Sequence, residues 1–231
     1  MLPRRYGEPH TIVIVVTMHP AAHPTFWHDR WTTGQLGFHE AKPNAHLVRW
    51  WPTLGLAANA RVLVPLCGKS KDLAWLLAQG HTVVGVELSP IACAAFFAEQ
   101  GLEPTRTEGP DFVTWSCGPI TLLQGDIFEL ELPGSFDAVW DRAATIALPP
   151  DLRARYGPQV RRQLKQGGAL LIVSFVYDAT RRDGPPFSVP DVEIQALHPG
   201  ATLLDRKHDN DDARYKEAGG VTEVVWRATR T

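Results

Sequence analysis

The 231-residue chain is 44% hydrophobic and 21% charged, and its 23 Lys and Arg against 25 Asp and Glu leave a formal net charge of −2. That is one ordinary globular domain, or two small ones, long enough to bury a core without staples, and its near-neutral balance excludes the massed basic footprint of a nucleic-acid binder. Cys67, Cys93 and Cys117 form no C-x-x-C pair, which excludes a readable disulfide framework or zinc site and points to a reducing cytoplasm. The nine histidines are dispersed, and no metal is expected.

At the N-terminus Arg4 and Arg5 precede an apolar run, 12–16, in the order of a secretory signal. The run is too short to span a bilayer and no A-x-A site follows it. A second methionine, Met18, stands before the first aromatic cluster. Residues 1–25 are therefore expected to be a tail, with residues 26–231 forming one domain. The stretch 26–56 holds four of the eight tryptophans, Trp27, Trp31, Trp50 and Trp51, and reads as helices that precede and cover a sheet.

From residue 61 strands and helices alternate. Residues 62–66 read as a buried strand, 71–79 as a helix closed by Gly80, and 82–87 as a second strand, which makes a βαβ unit. Ser89 and Pro90 supply an N-cap and a first-turn proline for a helix over 91–100 that stops at Gly101. A third strand fits 120–123, with 111–116 an extra strand beside it, and a fourth fits 136–140. A helix over 151–164 then leads through the turn at Gly167 and Gly168 into an apolar fifth strand, 169–175. Beyond it come a rigid proline-rich loop, 183–190, a short helix, 191–197, and two strands, 201–208 and 221–227, able to pair as an edge hairpin. The pattern predicts an α/β fold with a mostly parallel sheet covered on both faces.

In such sheets ligands lie outside the carboxyl ends of the strands, at the switch point. Leu66-Cys67-Gly68-Lys69-Ser70, Glu87, Asp126 and Asp141-Arg142 fall there. Gly68-Lys69-Ser70 resembles the end of a P-loop, but G-x-x-x-x-G-K-[ST] needs glycine at position 63, which is Leu63. The dinucleotide pattern G-x-G-x-x-G fails too, because Gly68 is its only glycine. A pyrophosphate thus has no glycine cradle. Glu87 ends the second strand nineteen residues after Gly68, a spacing that suits a carboxylate accepting from both ribose hydroxyls of a nucleoside; the bland alternative is a solvated strand-end acid. Cys67 reads as a small packing residue, with a reactive thiol as the alternative.

Six blocks in order carry a family resemblance: Phe26-Trp27-His28-Asp29-Arg30-Trp31, Gly37-Phe38-His39, Val64-Pro65-Leu66-Cys67-Gly68-Lys69-Ser70, Gly85-Val86-Glu87-Leu88-Ser89, Trp140-Asp141-Arg142-Ala143-Ala144 and Gly184-Pro185-Pro186-Phe187-Ser188-Val189-Pro190. Together they resemble the thiopurine S-methyltransferase family in its bacterial form. The resemblance implies a class I methyltransferase fold, a Rossmann-like three-layer sandwich with a seven-stranded, mostly parallel sheet and an antiparallel C-terminal hairpin. It implies S-adenosylmethionine as methyl donor, S-adenosylhomocysteine as product, and small thiol or selenol acceptors, with selenium and tellurium species in its range. It further implies that Trp31, Leu66, Glu87, Asp126, Ile127 and Arg142 hold the cofactor and that Phe38, Arg142 and Arg214 face the substrate. No residue is expected to act as a catalytic acid, base or nucleophile. A cytoplasmic monomer is expected, without nucleic-acid or membrane partners.

Blander readings stand beside these. Trp31 is alternatively a core residue, Asp141-Arg142 a helix cap with its charge partner, and Arg214 a solvated residue of the charged run 205–217. Phe187 is a turn anchor, a piece of the substrate wall, or both. A broader thiol, selenol or halide methyltransferase is the within-class alternative. A non-catalytic nucleoside sensor is the alternative from another class, and the presence of Trp31, Glu87 and Arg142 together counts against it.

Overall fold

A computed structural model describes residues 18–231 of the chain. The basic and apolar N-terminal stretch lies outside the described residues. After a 3-10 turn, Pro20–Ala22, come α1 (Pro24–Thr32) and α2 (Ala45–Trp50), the latter running into a second 3-10 turn, Trp51–Leu54. Then β1 (Arg61–Pro65), α3 (Lys71–Ala78), β2 (Thr82–Glu87) and α4 (Pro90–Glu99) alternate. Strands β3 (Thr105–Glu108), β4 (Val113–Cys117), β5 (Ile120–Gln124) and β6 (Phe136–Arg142) follow, then α5 (Ala144–Ala147), α6 (Pro150–Gln163) and β7 (Leu164–Val176). The chain closes with α7 (Asp191–Leu197), β8 (Thr202–Asp209) and β9 (Val221–Thr229).

All nine strands join one sheet in the order β3-β4-β5-β2-β1-β6-β7-β9-β8. The central run β5-β2-β1-β6-β7 is parallel, and β9 pairs antiparallel with both β7 and β8. The α/β class and the C-terminal hairpin match the expectation; the strand count of seven does not. One uncounted strand, β3, is exposed along its whole length and reads Thr-Arg-Thr-Glu, so it carries no alternation that would reveal it. Another difference lies in β7, which begins at Leu164 rather than after the glycine pair. Gly167 and Gly168 sit inside it as an irregularity, their main chain bonded to Arg230 at the end of β9.

The central strands are apolar without interruption because both faces are covered. On one face Leu47, Trp51 and Leu54 pack with Val62, Val64, Leu73, Leu76, Phe96 and Trp140. Part of the tryptophan-rich segment thus covers the sheet as expected, and Trp51 is fixed by an Nε1 bond to His81 Nε2 of 3.0 Å. On the other face Leu63, Val84, Val139, Leu170 and Ile172 pack under Tyr156 and Val160 of α6 and Ile194 of α7. Ser70 and Ser89 cap α3 and α4 through their side chains, each satisfying one of the orphan N–H groups at a helix start.

His198 follows α7 and is 1% exposed, with neither ring nitrogen hydrogen-bonded among the described residues. Burial, aided by the Arg161 charge, lowers its pKa from 6.5 to about 4. The folded state keeps the ring neutral where the unfolded chain protonates it. Its contribution is therefore complete above pH 6.5 and is lost as pH falls from 6.5 toward 4, at about 1.4 kcal/mol per unit. Between pH 7 and pH 5, His198→Leu should lose about 2 kcal/mol less unfolding free energy than the wild type, measured by urea denaturation at both pH values.

Candidate active site

The site is built where β1, β2 and β6 end. After β1 the chain turns through Leu66, whose φ of 48° is left-handed although it carries a side chain, and through Gly68 at φ +53°. A non-glycine residue in that region costs about 1–2 kcal/mol. Glu87, the last residue of β2, is buried and fastens this turn: Gly68 N donates to Oε2 and Ser89 N to Oε1, both at 2.8 Å. Each oxygen keeps a further lone pair able to accept from another donor. Burial pushes the carboxyl pKa up, and the N–H groups of Ser89, Gly68 and Leu88 pull it back.

The turn lies close on β2 because Gly85 has no side chain; a Cβ there would stand 2.6 Å from both Cys67 Sγ and Leu122 Cδ2. Cys67 is thereby accounted for as packing. Burial, and then the Glu87 charge, raise its thiol pKa well above the ordinary value, the reverse of what a nucleophile needs.

Helix α1 brings Trp31 over the turn, with its Cζ2 3.2 Å from where a Gly68 Cβ would stand. Phe38 meets the Trp31 ring edge-on at 5.7 Å and the Trp27 ring at 6.3 Å. These aromatics wall a cavity of about 480 Å³ that is also lined by Leu66, Gly68, Glu87, Arg142 and Arg214. Six of the eight residues singled out from the sequence are thus brought together. The other two, Asp126 and Ile127, line an adjoining cavity of about 190 Å³ that shares Leu66 and Glu87 with the first. Asp126 uses Oδ1 to accept from Phe128 N at 3.0 Å, capping the 3-10 turn Ile127–Glu129. That turn hangs from Gln159 of α6, which donates to the carbonyls of Ile127 and Leu130.

Asp141 and Arg142 part company. Asp141 is fully buried and accepts from Thr145 N, Thr145 Oγ1 and Tyr156 OH at 3.0, 2.6 and 2.9 Å; it is a structural cap for α5. Arg142 does not pair with it. Its Nη1 donates to the Phe38 carbonyl at 2.9 Å and its Nη2 pairs with Glu40. Arg214 lines the cavity but is gripped by Asp212 through Nε and Nη2, which raises its own pKa.

The structure adds Arg182, Tyr215 and Glu223, which no sequence pattern marked, and brings the proline-rich loop to the cavity. Arg182 lies over the Tyr215 ring at 4.7 Å and donates to the Arg214 carbonyl, while Pro185, Pro186 and Glu223 complete the wall. Phe187 anchors the proline loop, its N–H on the Ile146 carbonyl at 2.6 Å, and packs against His19. His19 and His23 stand four residues apart, but they cap the two ends of the turn Pro20–Ala22. Among the described residues no group of three or more His, Cys, Asp or Glu is placed to hold a metal ion. Nor is any described helix long and apolar enough to cross a membrane.

Solved structures share this architecture. A 1,6-didemethyltoxoflavin-N1-methyltransferase of Burkholderia thailandensis, crystallised with S-adenosylhomocysteine, superposes with a TM-score of 0.62 at 21% identity, over 96% of this chain and 100% of that one. A SAM-dependent methyltransferase from Methanosarcina mazei gives 0.58 at 17% identity, over 82% and 98%. The fold is that of the class I S-adenosylmethionine-dependent methyltransferases. The family model for thiopurine S-methyltransferase matches residues 22–230. Thiopurine S-methyltransferases of Pseudomonas entomophila and Bordetella petrii are 47% and 45% identical to this chain, covering 90% and 89% of it and 98% and 97% of their own lengths. The chain belongs to the thiopurine S-methyltransferase family.

The Glu87 carboxylate and the bare Cα of Gly68 fit a nucleoside cofactor that brings no phosphate. Gly68→Ala imposes a left-handed alanine against Trp31. It should raise the Kd for S-adenosylhomocysteine about tenfold or more by calorimetry and cost about 1–2 kcal/mol in urea denaturation.

Proposed function

We propose that the protein methylates the sulfur of thiopurines and related aromatic thiols, and selenium or tellurium species of the same kind, with S-adenosylmethionine as donor. The observation that carries this reading is the meeting, in one cavity, of the Glu87 and Gly68 anchor with an aromatic and arginine wall. The bound cofactor supplies a sulfonium methyl group, and the transfer discharges its positive charge.

In this reading the free lone pairs of Glu87 take the ribose hydroxyls, Leu66 offers its main chain, and Asp126 and Ile127 border the adenine. Trp31 closes over the methionine end, where an aromatic face attracts a cation by about 0.5–2 kcal/mol. Phe38 stacks on the acceptor ring, while Arg142 and Arg214 favour its anionic form through charge-assisted hydrogen bonds. A thiopurine is already partly ionised near neutral pH, so no general base is assigned. The chain contributes alignment of sulfur with the methyl group and exclusion of water. The chain acts as one catalytic domain, which takes in α1 from Pro24, before the expected boundary at 26, and as a monomer; its three free cysteines are in keeping with the cytoplasm.

Incubation of the pure protein with methyl-labelled S-adenosylmethionine and 6-mercaptopurine, thiophenol or selenite tests the reading. Label should move to the thiopurine sulfur; cofactor binding with no transfer to any acceptor would favour the sensor. Glu87→Gln puts a donor amide against the Gly68 or Ser89 N–H and should weaken cofactor binding about 10- to 100-fold by calorimetry. Alanine at both Arg142 and Arg214 should lower kcat/KM for 6-mercaptopurine by at least about tenfold in the same labelling assay.

A further inference from the structure

Four carboxylates line the cavity, Glu40, Asp72, Glu87 and Glu223. Three have a protein donor on each oxygen. Glu40 receives Arg142 and the Asn44 side-chain amide. Asp72 receives Asn44 N at 2.7 Å and Trp140 Nε1 at 2.8 Å, and Glu87 receives Gly68 N and Ser89 N. Glu223 differs. Its Oε2 pairs with His46 Nε2 at 2.9 Å, and its Oε1 takes no hydrogen bond among the described residues.

Its place is well defined. Glu223 lies on β9 opposite Phe175 of β7, two residues from Val225 and therefore on the same sheet face, and His46 reaches it from α2. The other charged groups lining the cavity are cations: Arg30, Lys69, Arg142, Arg182 and Arg214. The bond from His46 and the Arg142 charge hold the Glu223 carboxyl below its ordinary pKa. It is thus an anion at neutral pH and an acceptor of hydrogen bonds rather than of protons.

The Glu223 side chain is 39% exposed, so water meets Oε1 in the free protein, and a ligand that displaces that water loses affinity unless it replaces the hydrogen bond. A ligand that satisfies it must carry a donor as well as the anionic sulfur that the arginines favour. A thiopurine thiolate has that combination, because one N–H remains on its imidazole ring. We propose that Glu223, oriented by His46, is a specificity-determining acceptor for a ring N–H of the substrate, selecting nitrogen-heterocyclic thiols over carbocyclic aryl thiols. The inference deepens the thiol methyltransferase reading above and rests on it. Selectivity of this kind is steep, because a site that hydrogen-bonds a substrate N–H rejects an analogue lacking it when its own polar group is left unpaired.

The test is the ratio of kcat/KM for 6-mercaptopurine to that for thiophenol, which has no N–H. Glu223→Ala should lower the ratio about tenfold or more, and Glu223→Gln, which keeps the shape and a neutral carbonyl acceptor, should lower it less. As a positioning residue, His46 should show the same fall in ratio on His46→Ala and recovery on His46→Gln, which restores a side-chain donor. A ratio unchanged in both Glu223 variants, with the two kcat/KM values moving together, overturns the inference and leaves the thiol methyltransferase reading standing. A wild type that binds S-adenosylmethionine but methylates neither thiol overturns that reading, and this inference with it. An unchanged ratio in His46→Ala beside a reduced one in Glu223→Ala removes His46 from the proposal.

Discussion

The site depends on one carboxylate held between two main-chain amides. Glu87 joins the turn after β1 to the start of α4 by accepting from Gly68 and Ser89. The clasp adds to the main-chain bond from Cys67 N to the Val86 carbonyl, and together they hold the left-handed turn at Leu66 against β2 and set Gly68 under Trp31. A buried carboxylate is stable only when it is hydrogen-bonded. The two amides meet that need and leave lone pairs for a ligand. The residue that shapes the loop is thus the one best placed to recognise what the loop encloses.

Polarity is distributed over the rest of the cavity by the same logic. Cations reach it from five separate places in the chain, and three of the four carboxylates are already matched inside the protein. Glu40 restrains Arg142 and Asp212 restrains Arg214. Arg142, 17% exposed and also bonded to the Phe38 carbonyl, is held in place, whereas Arg214, 60% exposed, meets Asp212 at the solvent edge, where an ion pair contributes little. What the cavity presents to a ligand is a mixed pattern: aromatic faces, guanidinium groups set among them, and on Glu223 a carboxylate oxygen without a hydrogen bond among the described residues.

Much of this was legible in the sequence for a physical reason. Strands buried on both faces are continuous apolar runs, so β1, β2 and β7 announce themselves, as do helices opened by Ser70 or by Ser89 and Pro90. Glu87 was legible as an acid closing such a run nineteen residues after Gly68, and its burial and its bond from Gly68 N set aside the solvated alternative. The strand β3 was not, since both its faces are wet. Arg142 and Glu40 are 102 residues apart, and His46 and Glu223 are 177 apart. Glu223 itself falls in an ordinary strand pattern, Val-Thr-Glu-Val-Val-Trp. Pairings of that kind arise only when the sheet is assembled, and no local periodicity encodes them. Asp141 and Arg142 show the converse: neighbours in sequence, they point into different chemistries, one into the core and one into the cavity.

Two neighbouring strands, β1 and β6, end alike. Leu66 and Ala143 each take a left-handed backbone without being glycine, at φ 48° and 70°. At about 1–2 kcal/mol apiece, this strain amounts to a sizeable share of the roughly 5–15 kcal/mol by which a folded domain exceeds its unfolded chain. It lies at the ends of the two strands, where Leu66 and Ala143 both line the cavity. The packed layers on either face therefore sustain a mouth that is itself uphill, and rigidity in this protein is exported from its interior to its working end.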